Sequence, residues 1–325
     1  MHVPVIFIRG KYMKVLIIGA AGFVGTYLIN HLKDDLHWTV AATKMPQEQI
    51  NIPGIQVLDL NILEPDTILP LLKQVHPDAI IHLAAQSSVS VSWKNPALTI
   101  DVNIKGTVYV LEAVRALDYS PRVLLIGSGE EYGHILPEET PIREGNVTRP
   151  GNIYAATKAC QNMIGKIYSD AYHMDILSVR AFNHIGPNQA PIFVVADFCK
   201  QVAMIESGQA ESIIHVGNLS AARDFTDVRD VVRAYALLIE KGTAGETYNV
   251  GSGHAITIDS ILKKILEHAK VPIQVQVEPS KLRPVDVPII EADTSKLSGC
   301  TGWKPEISID RTIEEVLNYW RAELK

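Results

Sequence analysis

Short apolar runs alternate with longer amphipathic stretches through the first half of the chain. Lys14 to Ala20 (KVLIIGA), Trp38 to Thr43 (WTVAAT), Ile55 to Leu60 (IQVLDL), Ala79 to Ala85 (AIIHLAA), Arg122 to Ser128 (RVLLIGS) and Asp175 to Asn183 (DILSVRAFN) read as strands. Between them the apolar residues recur with helical period. Val24, Leu28 and Leu32 are four apart in GFVGTYLINHLK, and Ile104 to Leu117 and Tyr154 to Tyr172 repeat the pattern. Near-continuously apolar strands separated by helices predict a parallel sheet covered on both faces. Right-handed crossovers make it an α/β doubly wound fold of the Rossmann kind.

The rhythm loosens after Asn183. A turn-rich GPNQAP is followed by a helix near Phe193 to Ser207, and the last block, Gly251 to Lys325, holds helices near Ile258 to Lys270 and Ile309 to Glu323. This division predicts a dinucleotide-binding domain over 13–183 and a smaller α/β C-terminal substrate domain over 184–325, with part of 224–250 returning to the first. Met1 to Tyr12 (MHVPVIFIRGKY) precede the first convincing element and read as an N-terminal extension, or as an extra edge strand given their β-rich composition.

Composition narrows the class. Of 325 residues 47% are hydrophobic and 20% charged, the profile of a globular protein. A net charge of −6 gives no basic footprint for nucleic acid. No apolar run reaches the roughly 18 residues of a membrane span. Cys160, Cys199 and Cys300 are odd in number and form no CxxC, which argues against a disulfide framework or a zinc site and for a reducing cytoplasm.

Candidate chemistry begins at Gly19, Gly22 and Gly25 (GAAGFVG), set between the first strand and its helix. A backbone turning tightly there lets a pyrophosphate approach the amides of a helix N-terminus. A bare βα turn is the plainer alternative. At the end of the second strand, where a carboxylate would hold a free ribose 2′-hydroxyl, stand Thr43 and Lys44. A hydroxyl and an ammonium suit a 2′-phosphate, which favours NADPH, with NADH also accepted. Tyr154 and Lys158 are four apart and share a helix face, where an ammonium is expected to lower the phenol pKa. Ser128 ends an apolar strand and is expected to bond the same substrate oxygen.

The GxxGxxG spacing together with Tyr154-Ala-Ala-Thr-Lys158 resembles the extended short-chain dehydrogenase/reductase family of nucleotide-sugar enzymes, from Met13 to the Gly302–Pro305 tail. The resemblance implies cofactor contacts at Phe23, Val24, Asp59, Leu60, Ala84 and Ala85, besides the glycines, Tyr154 and Lys158. HLAAQSSVSVSW (82–93), FNHIGPNQ (182–189), RDF (223–225) and RPVDV (283–287) are most similar to the GDP-mannose 4,6-dehydratase branch. That likeness implies Ser87, Val89, Asn183 and Val194 around the sugar. It also implies Arg223 and Arg283 on the diphosphate, and Asp286 on the nucleoside ribose.

In this family the two positions after the catalytic Ser or Thr report the reaction. Dehydratases place an acid or hydroxyl residue and then a Glu. Here they are Gly129 and Glu130. Glycine cannot donate a proton, so half of the elimination machinery is missing. Glu130 is then either catalytic or kept for a loop or substrate hydrogen bond. A reductase in this branch would take GDP-4-keto-6-deoxy-D-mannose to GDP-D-rhamnose. A GDP-mannose 4,6-dehydratase, a 4-epimerase and a non-catalytic NADPH-binding scaffold are the rivals. The helices near Thr99 to Leu117 and Tyr154 to Tyr172 could pair across a two-fold axis as a homodimer.

Overall fold

Val15 to Ile18 are fully buried in the first strand, β1 (Lys14–Ile18). The computed structural model describes residues 13–281 and 287–325, so the expectation for Met1 to Tyr12 lies outside the described residues. After β1 come α1 (Phe23–Asn30), β2 (Thr39–Lys44), β3 (Gln56–Asp59), α2 (Pro65–Val75), β4 (Ala79–His82), α3 (Val89–Lys94), α4 (Pro96–Ile100), α5 (Gly106–Arg115) and β5 (Arg122–Ser128). Then follow α6 (Ile153–Tyr172), β6 (Ile176–Ala181), β7 (Asn183–Ile185), α7 (Val194–Glu206), β8 (Ile213–Val216), β9 (Ala222–Asp227), α8 (Val228–Lys241) and β10 (Thr247–Val250). The chain closes with β11 (Ala255–Thr257), α9 (Ile258–Glu267), β12 (Gln274–Val277), β13 (Ile289–Ile290), α10 (Ser295–Thr301) and α11 (Ile309–Glu323).

Seven strands form one sheet in the order β10-β6-β5-β4-β1-β2-β3. The β1, β2, β3, β4 and β5 neighbours pair in parallel, as expected of a doubly wound Rossmann-like fold. The order reverses between β1 and β4, and the carboxyl ends of those two strands flank the crevice where such folds take ligands.

The chain packs as two units, each built from separate segments. One holds the chain up to Ile126 with Cys160–Ser178 and Tyr235–Glu246; the other holds Gly127–Ala159, Val179–Ala234 and Thr247–Lys325. Strands β5 and β6 each begin in the first and end in the second, which a linear reading of the sequence does not reveal. The first unit is built on Leu16, Ile80, Val123, Leu125 and Ile176 under Leu72, Val110 and Leu111. The second has a core of Val195, Phe198, Val202, Phe225, Ile261, Ile265, Ile313 and Leu317, and a smaller cluster of Tyr132, Ile135, Ile142, Phe182 and Ala292.

Several expected elements are shorter or broken for visible reasons. β1 stops at Ile18 because Gly19 turns with φ +81°. The stretch expected as one strand over Asp175 to Asn183 is two. Phe182 donates its N–H to Val250 O at 2.8 Å, and from Asn183 the chain pairs instead with β9. The helix expected from Ile104 begins with a π turn at Asp101–Lys105. There Asn103 is tied in both directions to the backbone of Gln86, accepting its N–H at 2.8 Å and donating to its carbonyl at 3.0 Å. Such single-turn bulges mark a helix shaped around a specific contact.

Candidate active site

The three glycines of the first turn stand in different surroundings. A Cβ on Gly19 would stand 2.5 Å from the Ala84 Cα, and one on Gly25 would stand 2.0 Å from the Ala20 carbonyl oxygen. Both therefore serve close approach within the fold. A Cβ on Gly22 would meet nothing within 4 Å, and Gly22 precedes the first turn of α1, where Phe23 and Val24 lie. Packing excludes side chains at two positions and leaves the third open before a helix N-terminus, an arrangement that fits a dinucleotide pyrophosphate. Ala84 and Ala85 follow β4 beside this turn, half-buried.

The two residues expected to read the ribose 2′-group are placed differently from each other. Thr43 is buried, and its Oγ1 accepts the N–H of Gly19 at 3.1 Å, so its hydroxyl braces the glycine turn. Lys44 stands at the end of β2 in register with Asp59, and its Nζ lies 2.6 Å from the Asp59 Oδ1. The cation is thus paired, and an incoming 2′-phosphate would compete with Asp59 for it. Leu60 is buried and donates its N–H to the Lys44 carbonyl at 2.9 Å.

In the second unit β5 ends on Ser128, whose side chain caps a 3₁₀ turn over Gly129–Tyr132. Glu130 donates its N–H to Ser128 Oγ at 3.2 Å, and Ser128 donates its own N–H to Glu131 Oε1 at 2.8 Å. This is a capping box, and the Ser-x-x-Glu spacing signals it in the sequence. Glu131, fully buried, also accepts Nε of Arg180 at 2.9 Å through Oε2. The Arg180 guanidinium lies 4.6 Å from the centre of the Tyr132 ring, and the Tyr132 hydroxyl donates to Asn249 Oδ1 at 2.7 Å. Burial pushes the Tyr132 phenol up to about 12. A buried, hydrogen-bonded network therefore fixes the backbone on which Ser128 is displayed.

Tyr154 and Lys158, four residues apart on α6, are both buried, and the Tyr154 phenol hydrogen-bonds Ser128. The expected lowering of the Tyr154 pKa is not found. Burial dominates and raises it; the Ser128 bond opposes this, while Glu130 and Glu131 add to the rise. Burial also pulls the Lys158 ammonium down to about 8, partly offset by Glu131. A phenol taken out of water resists ionising, and an ammonium taken out of water gives up its proton more readily.

Around Ser128 a cleft is lined by Glu130, Asn183 and Arg223, with Phe182 and Ile290 as apolar wall. Asn183 opens β7 opposite Phe225, and Val194, half-buried, opens α7. Arg223 is buried and donates through Nη1 to the carbonyls of Ala222 at 2.8 Å and Val287 at 2.7 Å, so backbone holds the guanidinium in the cleft. Ser87, exposed, and Val89, half-buried, belong to the segment after β4 in the first unit. Arg283 and Asp286 lie outside the described residues. Sequence reasoning missed Glu131, Asn152 and Phe182. The capping-box spacing could have found Glu131, and the position of Asn152 just before a helical run could have found a cap. Phe182 opens the FNHIGPNQ stretch, but nothing local marks its packing against Gly129.

Among the described residues no group of His, Cys, Asp and Glu could hold a metal, and no helix is long and apolar enough to cross a membrane. The glycine-rich first turn on a parallel sheet, with Ser128 at a strand end and Tyr154 and Lys158 on one helix, defines a protein of the short-chain dehydrogenase/reductase class. The chain belongs to the GDP-mannose 4,6 dehydratase family, whose sequence pattern matches residues 16–316. It is 32% identical to a GDP-6-deoxy-D-mannose reductase of Pseudomonas aeruginosa, over 96% of this chain and 98% of that one. It is 27% identical to a GDP-mannose 4,6-dehydratase of Yersinia enterocolitica, over 94% of this chain and 92% of that one. The solved structure of RMD from Pseudomonas aeruginosa complexed with NADPH superposes with a TM-score of 0.85 at 31% identity, covering 96% and 99% of the two chains. A Thermus thermophilus UDP-glucose 4-epimerase in complex with NAD gives 0.84 at 28% identity, covering 95% and 99%.

Proposed function

We propose that the protein uses NADPH to reduce the C4 ketone of GDP-4-keto-6-deoxy-D-mannose, giving GDP-D-rhamnose, the reaction of a GDP-6-deoxy-D-lyxo-4-hexulose reductase. The observation that carries this reading is Gly129. The position beside Ser128 that would hold an acid or hydroxyl for elimination holds no side chain, and a Cβ there would press on the Phe182 ring at 3.1 Å. The groups needed for ketone reduction remain. The likeness to the Pseudomonas aeruginosa reductase supports the same reading.

The nicotinamide, when bound, supplies the hydride. Ser128 donates a hydrogen bond to the ketone oxygen and holds it beside the Tyr154 phenol. Burial keeps that phenol protonated at working pH, and it gives its proton to the oxygen as the carbonyl becomes an alcohol. The Lys158 ammonium, one helical turn along, stabilises the phenolate left behind. Glu130 accepts a hydrogen bond from a sugar hydroxyl. Arg223 faces the diphosphate with its planar, permanently charged fork. Arg283 and Asp286 take the diphosphate and the ribose by their likeness to the family motif. The glycine turn carries the pyrophosphate, with Phe23, Val24, Leu60, Ala84 and Ala85 along the cofactor and Ser87, Val89, Asn183 and Val194 along the sugar.

We further infer a homodimer. Met163 and Ile167, four apart on α6, are each 59% exposed, an apolar stripe suited to a second copy of the same helix. The three thiols and the small, diffusible substrate suit the cytoplasm.

The test is NADPH oxidation on the 4-keto product of a separate dehydratase, with the sugar product identified by NMR. The Glu130 carboxylate favours one second reading, a dehydratase. Incubation with GDP-mannose and NADP alone separates the two, because only a lyase releases the 4-keto sugar under those conditions.

A further inference from the structure

Asn152 makes two different bonds at once. Its Oδ1 accepts the N–H of Ala155 at 2.8 Å, capping the first turn of α6. Its Nδ2 donates to Oε2 of Glu130 at 3.3 Å. The amide can stand only this way round. Turned over, its oxygen would face a carboxylate and its NH₂ would face a backbone N–H, both repulsive. Among the described residues the other Glu130 oxygen, Oε1, accepts no hydrogen bond.

A closed ring of contacts results. Glu130 donates its backbone N–H to Ser128, Ser128 bonds Tyr154, Tyr154 stands in the turn that Asn152 caps, and Asn152 holds the side chain of Glu130. Glu130 and Ser128 line the same cleft. We propose that Asn152 is a positioning residue that aims the Glu130 carboxylate at a substrate hydroxyl, coupling sugar recognition to the helix that carries Tyr154. The inference rests on the reading that this cleft takes the sugar of a GDP-linked substrate.

The residue type supports it. Serine or aspartate would cap the helix as well as asparagine. Serine is too short to reach a carboxylate as a second donor, and aspartate would set a like charge against Glu130. Glutamine could donate but is a poor cap. Of the good caps only asparagine both accepts from the helix and donates to an acid, so the second bond distinguishes Asn152 from a cap alone.

The experiment measures GDP-D-rhamnose affinity by calorimetry, together with KM and kcat for the 4-keto sugar and thermal stability. The proteins are wild type, Asn152→Ser, Asn152→Asp, Glu130→Gln and the double variant Asn152→Ser, Glu130→Gln. Asn152→Ser keeps a cap, so its melting temperature stays near wild type. Its GDP-D-rhamnose affinity and its KM for the keto sugar worsen roughly fivefold to tenfold, while KM for NADPH does not move. Asn152→Asp is worse than Asn152→Ser despite an equally good cap. In the Glu130→Gln background Asn152→Ser costs less than about twofold, because there is no carboxylate left to aim. Wild-type affinity in Asn152→Ser, or an equal loss in both backgrounds, would overturn the proposal and leave Asn152 a cap. A wild type that binds GDP-D-rhamnose but does not reduce the ketone sinks the reductase reading alone, and the affinities still decide the role of Asn152. A wild type that does not bind GDP-D-rhamnose sinks both.

Discussion

The ring of Phe182 stands over Gly129. A Cβ built on Gly129 lies 3.1 Å from the Phe182 Cγ and 3.2 Å from both Cδ atoms, closer than real Cβ atoms ordinarily come to a ring. Phe182 is itself held, because its N–H is bonded to Val250 O and its ring packs in the cluster with Tyr132, Ile142 and Ala292. The glycine beside Ser128 is therefore matched to an aromatic residue more than fifty positions away. Gly129→Ser should lower stability by roughly 1–3 kcal/mol through overpacking. Adding Phe182→Leu should recover part of that loss. Urea denaturation of the two variants checks this, and a Gly129→Ser protein as stable as wild type would mean the ring yields freely. Because the ring displaces the new hydroxyl, Gly129→Ser alone should release 4-keto sugar from GDP-mannose no faster than the parent. Any gain should need the double variant and Glu130.

Tyr154→Phe keeps the buried ring and removes only the hydroxyl. Ketone reduction should fall about 10²–10⁴-fold, the usual worth of a positioned general acid. NADPH binding, followed by fluorescence titration, should stay near wild type. Turnover within threefold of wild type would take Tyr154 out of the mechanism.

Lys44 and Asp59 form an ion pair at 2.6 Å. Lys44→Ala should weaken NADPH roughly tenfold or more while changing NADH little, since only NADPH carries the 2′-phosphate. Asp59→Asn should act in the opposite sense, releasing Lys44 for the phosphate and tightening NADPH. Kd values for both cofactors decide it, and equal losses for the two in Lys44→Ala would mean that Lys44 does not read that group.

The Lys158 ammonium is pulled down to about 8 by burial, so it is charged below that pH and neutral above it. Ketone reduction should therefore decline as pH rises through about 8, visible as a single-proton limb in kcat/KM for the keto sugar. Lys158→Arg, charged at every accessible pH, should move the limb out of range even where the maximal rate is lower. A flat profile from pH 7 to 9.5 in the wild type would show that the charge on Lys158 is not required.

Glu131 is a buried carboxylate with both oxygens in use, one on the Ser128 N–H and one on Arg180. Glu131→Gln leaves the guanidinium without its counter-charge, which should cost on the order of 3 kcal/mol in chemical denaturation. The amide oxygen can still accept the Ser128 N–H, so kcat should fall far less than in Tyr154→Phe.

What is periodic and local could be read from the chain alone. Alternating apolar runs announced a parallel sheet, because a strand covered on both faces must be apolar at every position. Helix α11 falls at Ile309–Glu323 and β5 at Arg122–Ser128, as their patterns predict. The glycine turn and the Tyr154–Lys158 pair were legible for the same reason, since each is a short spacing within one strand–turn–helix or one helical turn. What depends on residues far apart in the chain emerged only with the packed fold. It split strands β5 and β6 between two units, since a strand can leave one core and enter another without changing its composition. It paired Lys44 with Asp59 through the β2–β3 register, set Phe182 over Gly129, and joined Asn152 to Glu130. It also reversed the expected shift of Tyr154, because desolvation depends on everything packed around a group, and no spacing along the chain encodes it.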